Sequence, residues 1–132
     1  MTDLTEYQKA MDVLNDLAKD YEIWVLTDLQ NLKNAYEKAK TCTAGERANV
    51  MQQEVFKIAH DMKGQGATFG YDLITDIGNH LCRYIEKQSV FDAPQMQAVQ
   101  THIDALSQII ETHLKGDGDQ IGRALKEKIE AL

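Results

Sequence analysis

The sequence predicts an all-α protein: an up-and-down antiparallel four-helix bundle with extra N-terminal and C-terminal helices. Three observations carry that expectation. The 132 residues include one Pro and 8 Gly and are otherwise rich in residues that cost a helix little, such as Ala, Leu, Glu, Lys and Gln. Apolar residues recur at steps of three and four along most of the chain, and no stretch alternates as a half-buried strand does. The periodic stretches are joined by connectors of a few residues, which favours antiparallel neighbours.

The elements follow in order. Asp3, with Glu6 three residues on, caps a first helix in which Leu4, Tyr7, Met11, Leu14 and Leu17/Ala18 keep helical spacing to about Lys19. A second helix runs from about Tyr21 to Lys40, with Val25, Leu29, Leu32, Tyr36 and Ala39 on one face. The two are divided near Asp20 or form one bent helix; as a separate element the first is expected to lie across one end of the bundle. Thr43 and Glu46 make a capping-box pair that opens a third helix, and Gly70 suits the left-handed residue that closes it. A fourth helix covers about Tyr71 to Gln88, with Leu73, Ile74, Ile77, Leu81, Tyr84 and Ile85 as its stripe. Asp92, Pro94 and Gln95 supply the cap, the first-turn proline and the box of a fifth helix, which carries Met96, Val99, Ile103, Leu106 and Ile110 and ends near Lys115 with Gly116. Asp117 or Asp119 opens a short last helix, with Ile121, Leu125, Ile129 and Leu132 inward, which extends the bundle or packs outside it. The whole reads as one domain, 1–132, with the bundle core at about 21–115.

Composition narrows the function. With 14 Lys and Arg against 21 Asp and Glu, the net charge of −7 disfavours nucleic acid as the main partner. A local basic patch of Lys57, Lys63, Arg83 and Lys87 remains open. No apolar run approaches a bilayer's thickness, and the N-terminus lacks a basic region followed by an apolar one, so a cytoplasmic protein without membrane contact is expected. Cys42 and Cys82 lack metal-ligand spacing and read as free thiols. No Glu-x-x-His pair, glycine-rich phosphate loop or Cys-x-x-Cys occurs, so no metal site is expected.

The stretch that concentrates chemistry is His60-Asp61-Met62-Lys63-Gly64-Gln65-Gly66-Ala67-Thr68-Phe69-Gly70. On a helix, His60, Lys63, Gly64 and Ala67 share one face. That face holds a nucleophilic imidazole, a cation one turn on, and two residues with almost no side chain. His60 sits about 100° from Ala59, at the margin of the stripe Met51, Val55, Ile58, Ala59 and Met62, where solvent can reach it. Gly64 and Gly66 each weaken a helix by about 1 kcal/mol relative to Ala. Close approach of a partner is one reason to keep them, and tight helix–helix contact is the other. Phe56, one turn before His60, is either a docking contact or part of the core. Trp24 and Tyr36 read as packing residues, and His113 as a packed core histidine. His80 is a possible ring neighbour of the site.

This stretch resembles the active helix of histidine-containing phosphotransfer (HPt) domains: a histidine, Lys-Gly at the third and fourth positions, small residues, then a glycine. Its ending, Ala67-Thr68-Phe69-Gly70, is most similar to the phosphotransfer domain of chemotaxis kinases. The family also uses a helical bundle. The resemblance implies that His60 accepts a phosphoryl group from a receiver-domain aspartate and passes it to another receiver, with Lys63 and Gly64 in support. The partners it implies are receiver domains of hybrid histidine kinases and response regulators, meeting a face that includes Phe56, Ala67, Asn79, Cys82 and Arg83. It implies no cofactor on this chain, with Mg²⁺ on the partner receiver, and a monomer. Many members carry a glutamine or glutamate near Cys82 that bonds the histidine; Asn79 or Glu86 is the candidate substitute here. Gln65 is bulkier than the usual small residue. These departures leave open a helical docking or inhibitor module that transfers nothing. A detached chemotaxis-kinase-type phosphotransfer domain is a third reading.

Overall fold

A computed structural model describes residues 4–132. Six helices follow one another: α1 (Leu4–Lys40), α2 (Ala44–Val50), α3 (Phe56–Gly66), α4 (Asp72–Lys87), α5 (Ala93–Glu111) and α6 (Asp119–Glu130). Among the described residues there is no strand. The second half of α1, the rod made by α2 and α3, α4 and α5 form a closed ring of four antiparallel helices, each packed on the next and α5 on α1. This is the expected bundle.

Local chemistry sets several boundaries. The Thr43 hydroxyl accepts from the Glu46 N–H and starts α2. Gly70, at φ 87°, ends the rod after a 3₁₀ turn at Ala67–Phe69. Asp92 and Gln95 make both reciprocal bonds of a capping box around Pro94. The expected cap at Asp3 lies outside the described residues.

The core stripes of α4 and α5 are those the spacing predicts. Leu73, Ile74, Ile77, Leu81 and Ile85 are buried on α4, facing Val99, Ile103, Leu106 and Ile110 of α5. Each such side chain contributes about 1.5–3 kcal/mol at most. The rod contributes Met51, Val55, Ala59 and Met62. Two successive steps of four over-rotate by about 40° each on a 3.6-residue helix. A π turn at Met51–Val55, in which the Phe56 N–H reaches back to the Met51 carbonyl, widens the winding and keeps these residues in line.

Four expectations are corrected. No break occurs at Asp20: α1 is continuous, and its first four turns project beyond the bundle rather than lying across its end. α5 stops at Glu111, not near Lys115. His113 takes φ 51°, and the His113 and Leu114 amides bond the Ile110 and Ile109 carbonyls as in a Schellman closure. His113 is therefore exposed, and the buried histidine is His102, three turns earlier and next to Ile103. On α6, Ile129 is buried and Leu125 half-buried, while Ile121 and Leu132 face outward. α6 packs outside the ring, against α4, so the core runs from Tyr21 to Ile129.

One end of the bundle is tied by Arg47. Its guanidinium donates to the carbonyls of Ala39, Cys42 and Phe91 at 3.0–3.2 Å, joining the end of α1 to the loop before α5.

Candidate functional site

His60 lies on the outer face of α3 and is exposed. The Phe56 ring, one turn earlier and half-buried, lies nearly parallel to it, 6.0 Å between centroids at 25°. Among the described residues, neither ring nitrogen of His60 has a hydrogen-bond partner. The candidates for that bond are engaged elsewhere. Asn79 accepts from the Lys63 ammonium at 3.0 Å, and Glu86 pairs with Arg83 at 3.0 Å. Cys82 is fully buried, and its thiol points at the Phe56 carbonyl at 3.8 Å. Burial pushes the Cys82 thiol pKa up, so it stays protonated. Cys82 is a packing residue behind α3, not part of an exposed face.

α4 holds the turn from Ala59 to Ala67 from behind through small residues. Gly78 lies under Lys63 and Ala59: a Cβ there would come within 3.0 Å of the Lys63 Cβ and 3.3 Å of the Ala59 carbonyl oxygen. Gly66 is buried in the same seam, where a Cβ would meet the Tyr71 carbonyl oxygen at 2.9 Å and the Thr75 hydroxyl at 2.8 Å. Thr75 bridges the next rung of α3. Its hydroxyl donates to the Lys63 carbonyl and accepts from the Ala67 N–H, both at 2.8 Å. α4 therefore grips Lys63 twice, at its carbonyl through Thr75 and at its ammonium through Asn79.

The front of α3 is open. Among the described residues no atom of another segment lies within 4 Å of where a Gly64 Cβ would stand, and Ala67 is exposed. The two glycines thus answer to different causes: Gly66 to helix packing, Gly64 to an empty approach beside His60. Beside Phe56 a shallow hollow of about 230 Å³ is lined by Gln52, Phe56, Ile85 and Glu86. The site is therefore an accessible imidazole with a tethered cation one turn away and a flat surround.

The sequence profile of the Hpt domain matches residues 16–131. The chain belongs to the Hpt domain family. Hpt domains carry out histidine phosphotransfer in phosphorelays and interact with receiver domains of two-component proteins. The comparisons with curated proteins and with solved structures gave no match. Within this Hpt domain the His60-x-x-Lys63-Gly64 stretch falls on the exposed turn of α3 just described.

Other singled-out residues fall elsewhere. Arg83 and Lys87 face the groove between α4 and α6, a cavity of about 580 Å³ that also contains His80 and Lys126. The His80 ring is turned to α5, where its Nδ1 lies 2.9 Å from the His102 Nε2. His102 Nδ1 is 2.7 Å from the Ala98 carbonyl, which can only accept, so in the neutral pair His102 Nε2 accepts from His80. Burial holds the His102 pKa down at about 4, and His80 is also lowered, chiefly by burial. Tyr36 is buried and its hydroxyl donates to the Met96 carbonyl. Trp24 is 48% exposed, contrary to its reading as a packing residue. Gly78 and Arg47 escaped the sequence reading. A lone glycine within the α4 stripe is a sign of close backbone approach, whereas nothing local marks Arg47. No helix among the described residues is long and apolar enough to cross a membrane.

Proposed function

We propose that this Hpt domain relays phosphoryl groups between receiver domains through His60. The observation that carries the reading is the exposed imidazole of α3 with Lys63 one turn on and open space over Gly64. An unprotonated ring nitrogen of His60 attacks the phosphorus of an aspartyl phosphate on the visiting receiver. The new P–N bond forms as the P–O bond of the acyl phosphate breaks, and the aspartate leaves as a carboxylate. Transfer to a second receiver reverses the step. Such a reaction needs positioning and charge stabilisation more than acid–base help. Lys63 reaches the equatorial oxygens, Gly64 and Ala67 let the receiver's loops approach, and Phe56 with its hollow takes an apolar side chain of the partner. Mg²⁺ stays on the receiver, this chain holds no cofactor of its own, and the exchange takes place in the cytoplasm.

The test is incubation with a phosphorylated receiver and Mg²⁺. Acid-labile, alkali-stable label on the wild-type chain and none on His60→Gln is expected. Label that persists on His60→Gln overturns the assignment. Among the described residues no hydrogen bond orients His60, which favours one second reading, a docking module that binds receivers without accepting phosphate. It predicts binding without label in the same assay. Label obtained only from a chemotaxis-type kinase core with ATP would mark the chain as that kinase's detached domain.

A further inference from the structure

The projecting start of α1 is an amphipathic helix whose apolar side chains are left exposed among the described residues. Residues 4–20 make about 25 Å of helix beyond the ring. Among their apolar residues, Leu4, Tyr7, Met11, Leu14 and Ala18 alternate steps of three and four and run straight into Tyr21 and Val25 of the core stripe, while Val13, 58% exposed, lies off this seam on c. In heptad terms these are the a and d positions. The flanking e and g positions are Gln8, Asn15, Ala10 and Leu17, all uncharged, and the six charges of the segment, Glu6, Lys9, Asp12, Asp16, Lys19 and Asp20, all fall on b, c and f. Yet Leu4 is 84% exposed, Tyr7 62% and Leu14 59%. A seam built to be covered is uncovered among the described residues of the single chain.

We propose that the occupant is a second copy of this chain, paired antiparallel along residues 4–18. The register follows from size. Layers whose residue numbers add to 25 set Tyr7 against Ala18 of the second copy and Met11 against its Leu14, so large faces small at the flanks and matched side chains meet at the centre. Leu4 then comes level with the end of the other bundle. A parallel pair is blocked, because from Tyr21 onward the same stripe is buried in the chain's own core. The antiparallel pair leaves each bundle beyond the other's first turn. The surface also suffices. Leu4, Tyr7, Leu14 and Leu17, with Ala10, Met11 and Ala18 between them, offer on the order of 500 Å² per chain. The pair thus covers about 1,000 Å², the lower bound of a specific interface. A weak, concentration-dependent dimer follows, in place of the monomer expected from the sequence. The Hpt profile starts at residue 16, so most of this segment lies outside what the family shares.

Sedimentation equilibrium of the full chain from about 10 μM to 1 mM tests this. The apparent mass is expected to rise from 14.9 kDa toward twice that value. Leu14→Glu, at an exposed position, should weaken association at least about tenfold with unchanged helicity. Orientation is read from disulfide trapping in a Cys42→Ser background: chains carrying Tyr7→Cys and chains carrying Ala18→Cys should cross-link to each other in preference to themselves. A wild-type mass fixed at 14.9 kDa, an association that Leu14→Glu leaves intact, or cross-links only between like chains overturns the proposal. So does a monomer that cosediments with phospholipid vesicles, which would assign the stripe to a membrane surface.

Discussion

Gly64 and Gly66 stand two residues apart on α3 and should respond in opposite directions to the same substitution. Ala gains about 1 kcal/mol of helix propensity over Gly at either position. At Gly64 the new methyl meets nothing within 4 Å, so Gly64→Ala is expected to stabilise the fold by about 0.5–1 kcal/mol. At Gly66 it would lie 2.9 Å from the Tyr71 carbonyl oxygen and 3.0 Å from the Ile74 Cβ. That carbonyl cannot swing aside, because it accepts from the Ile74 and Thr75 amides at the start of α4. Against a fixed carbonyl the cost falls in the upper part of the range for overpacking, about 2–3 kcal/mol, so after the propensity gain of about 1 kcal/mol Gly66→Ala should lose about 1–2 kcal/mol. For a chain of this size the midpoint should rise by roughly 2–4 °C for Gly64→Ala and fall by about 4–8 °C for Gly66→Ala. Urea denaturation followed by circular dichroism separates the two. Receiver binding completes the test: Gly64→Gln should keep the fold and weaken docking. A loss of stability in Gly64→Ala, or unchanged receiver affinity in Gly64→Gln, would refute the view that this glycine exists for an outside partner.

Lys63→Ala should slow phosphotransfer by about tenfold to a hundredfold in a single-turnover assay. Its stability should change by less than about 0.5 kcal/mol, because the bond to Asn79 is exposed. Arg47→Met removes three bonds to backbone carbonyls and should cost about 2–4 kcal/mol. Arg47→Lys should recover little of this, because one ammonium cannot span three carbonyls; urea midpoints decide. The His80–His102 pair makes stability fall with acidity. The folded pKa of His102, about 4, lies below its usual value near 6.5, so the unfolded chain takes up a proton that the folded chain refuses. The contribution is complete above about pH 6.5 and is lost as pH falls toward 4. Lys87 and Glu130 act on His80 in opposite senses and leave burial as the main cause. Denaturation at pH 7.5 and 4.5 should show a slope that flattens in His102→Leu.

Much of this architecture was legible because it is written locally. Thr43, Gly70 and the Asp92–Pro94–Gln95 group act on their own turns, and the stripes of α4 and α5 need only the helical period. The missed features depend on what comes to lie alongside. Nothing between Lys19 and Tyr21 breaks a helix, so α1 continues, and whether its first turns are covered is a matter of the neighbour rather than the spacing. Gly116 is the better closing residue by type, but the Leu114 side chain packs on the core and draws the turn back to His113. Gly64 and Gly66 are the same letter, separated only once α4 lies against one of them. The same holds at the candidate site. The motif marks His60 and Lys63, but the burial of Cys82 and the engagement of Asn79 by Lys63 follow from the Gly78 contact, which the helical period does not specify.

The Thr75 hydroxyl lodged between Lys63 and Ala67 has a consequence for how this molecule can be watched. In an ordinary helix an amide's exchange with deuterium reports its own winding. Here the Ala67 proton is held in part by a side chain from the adjoining helix, so its exchange rate also registers whether α4 is seated. A loosening of the seam when a receiver arrives or a phosphate is loaded would be readable at that one backbone position, without any label near the imidazole.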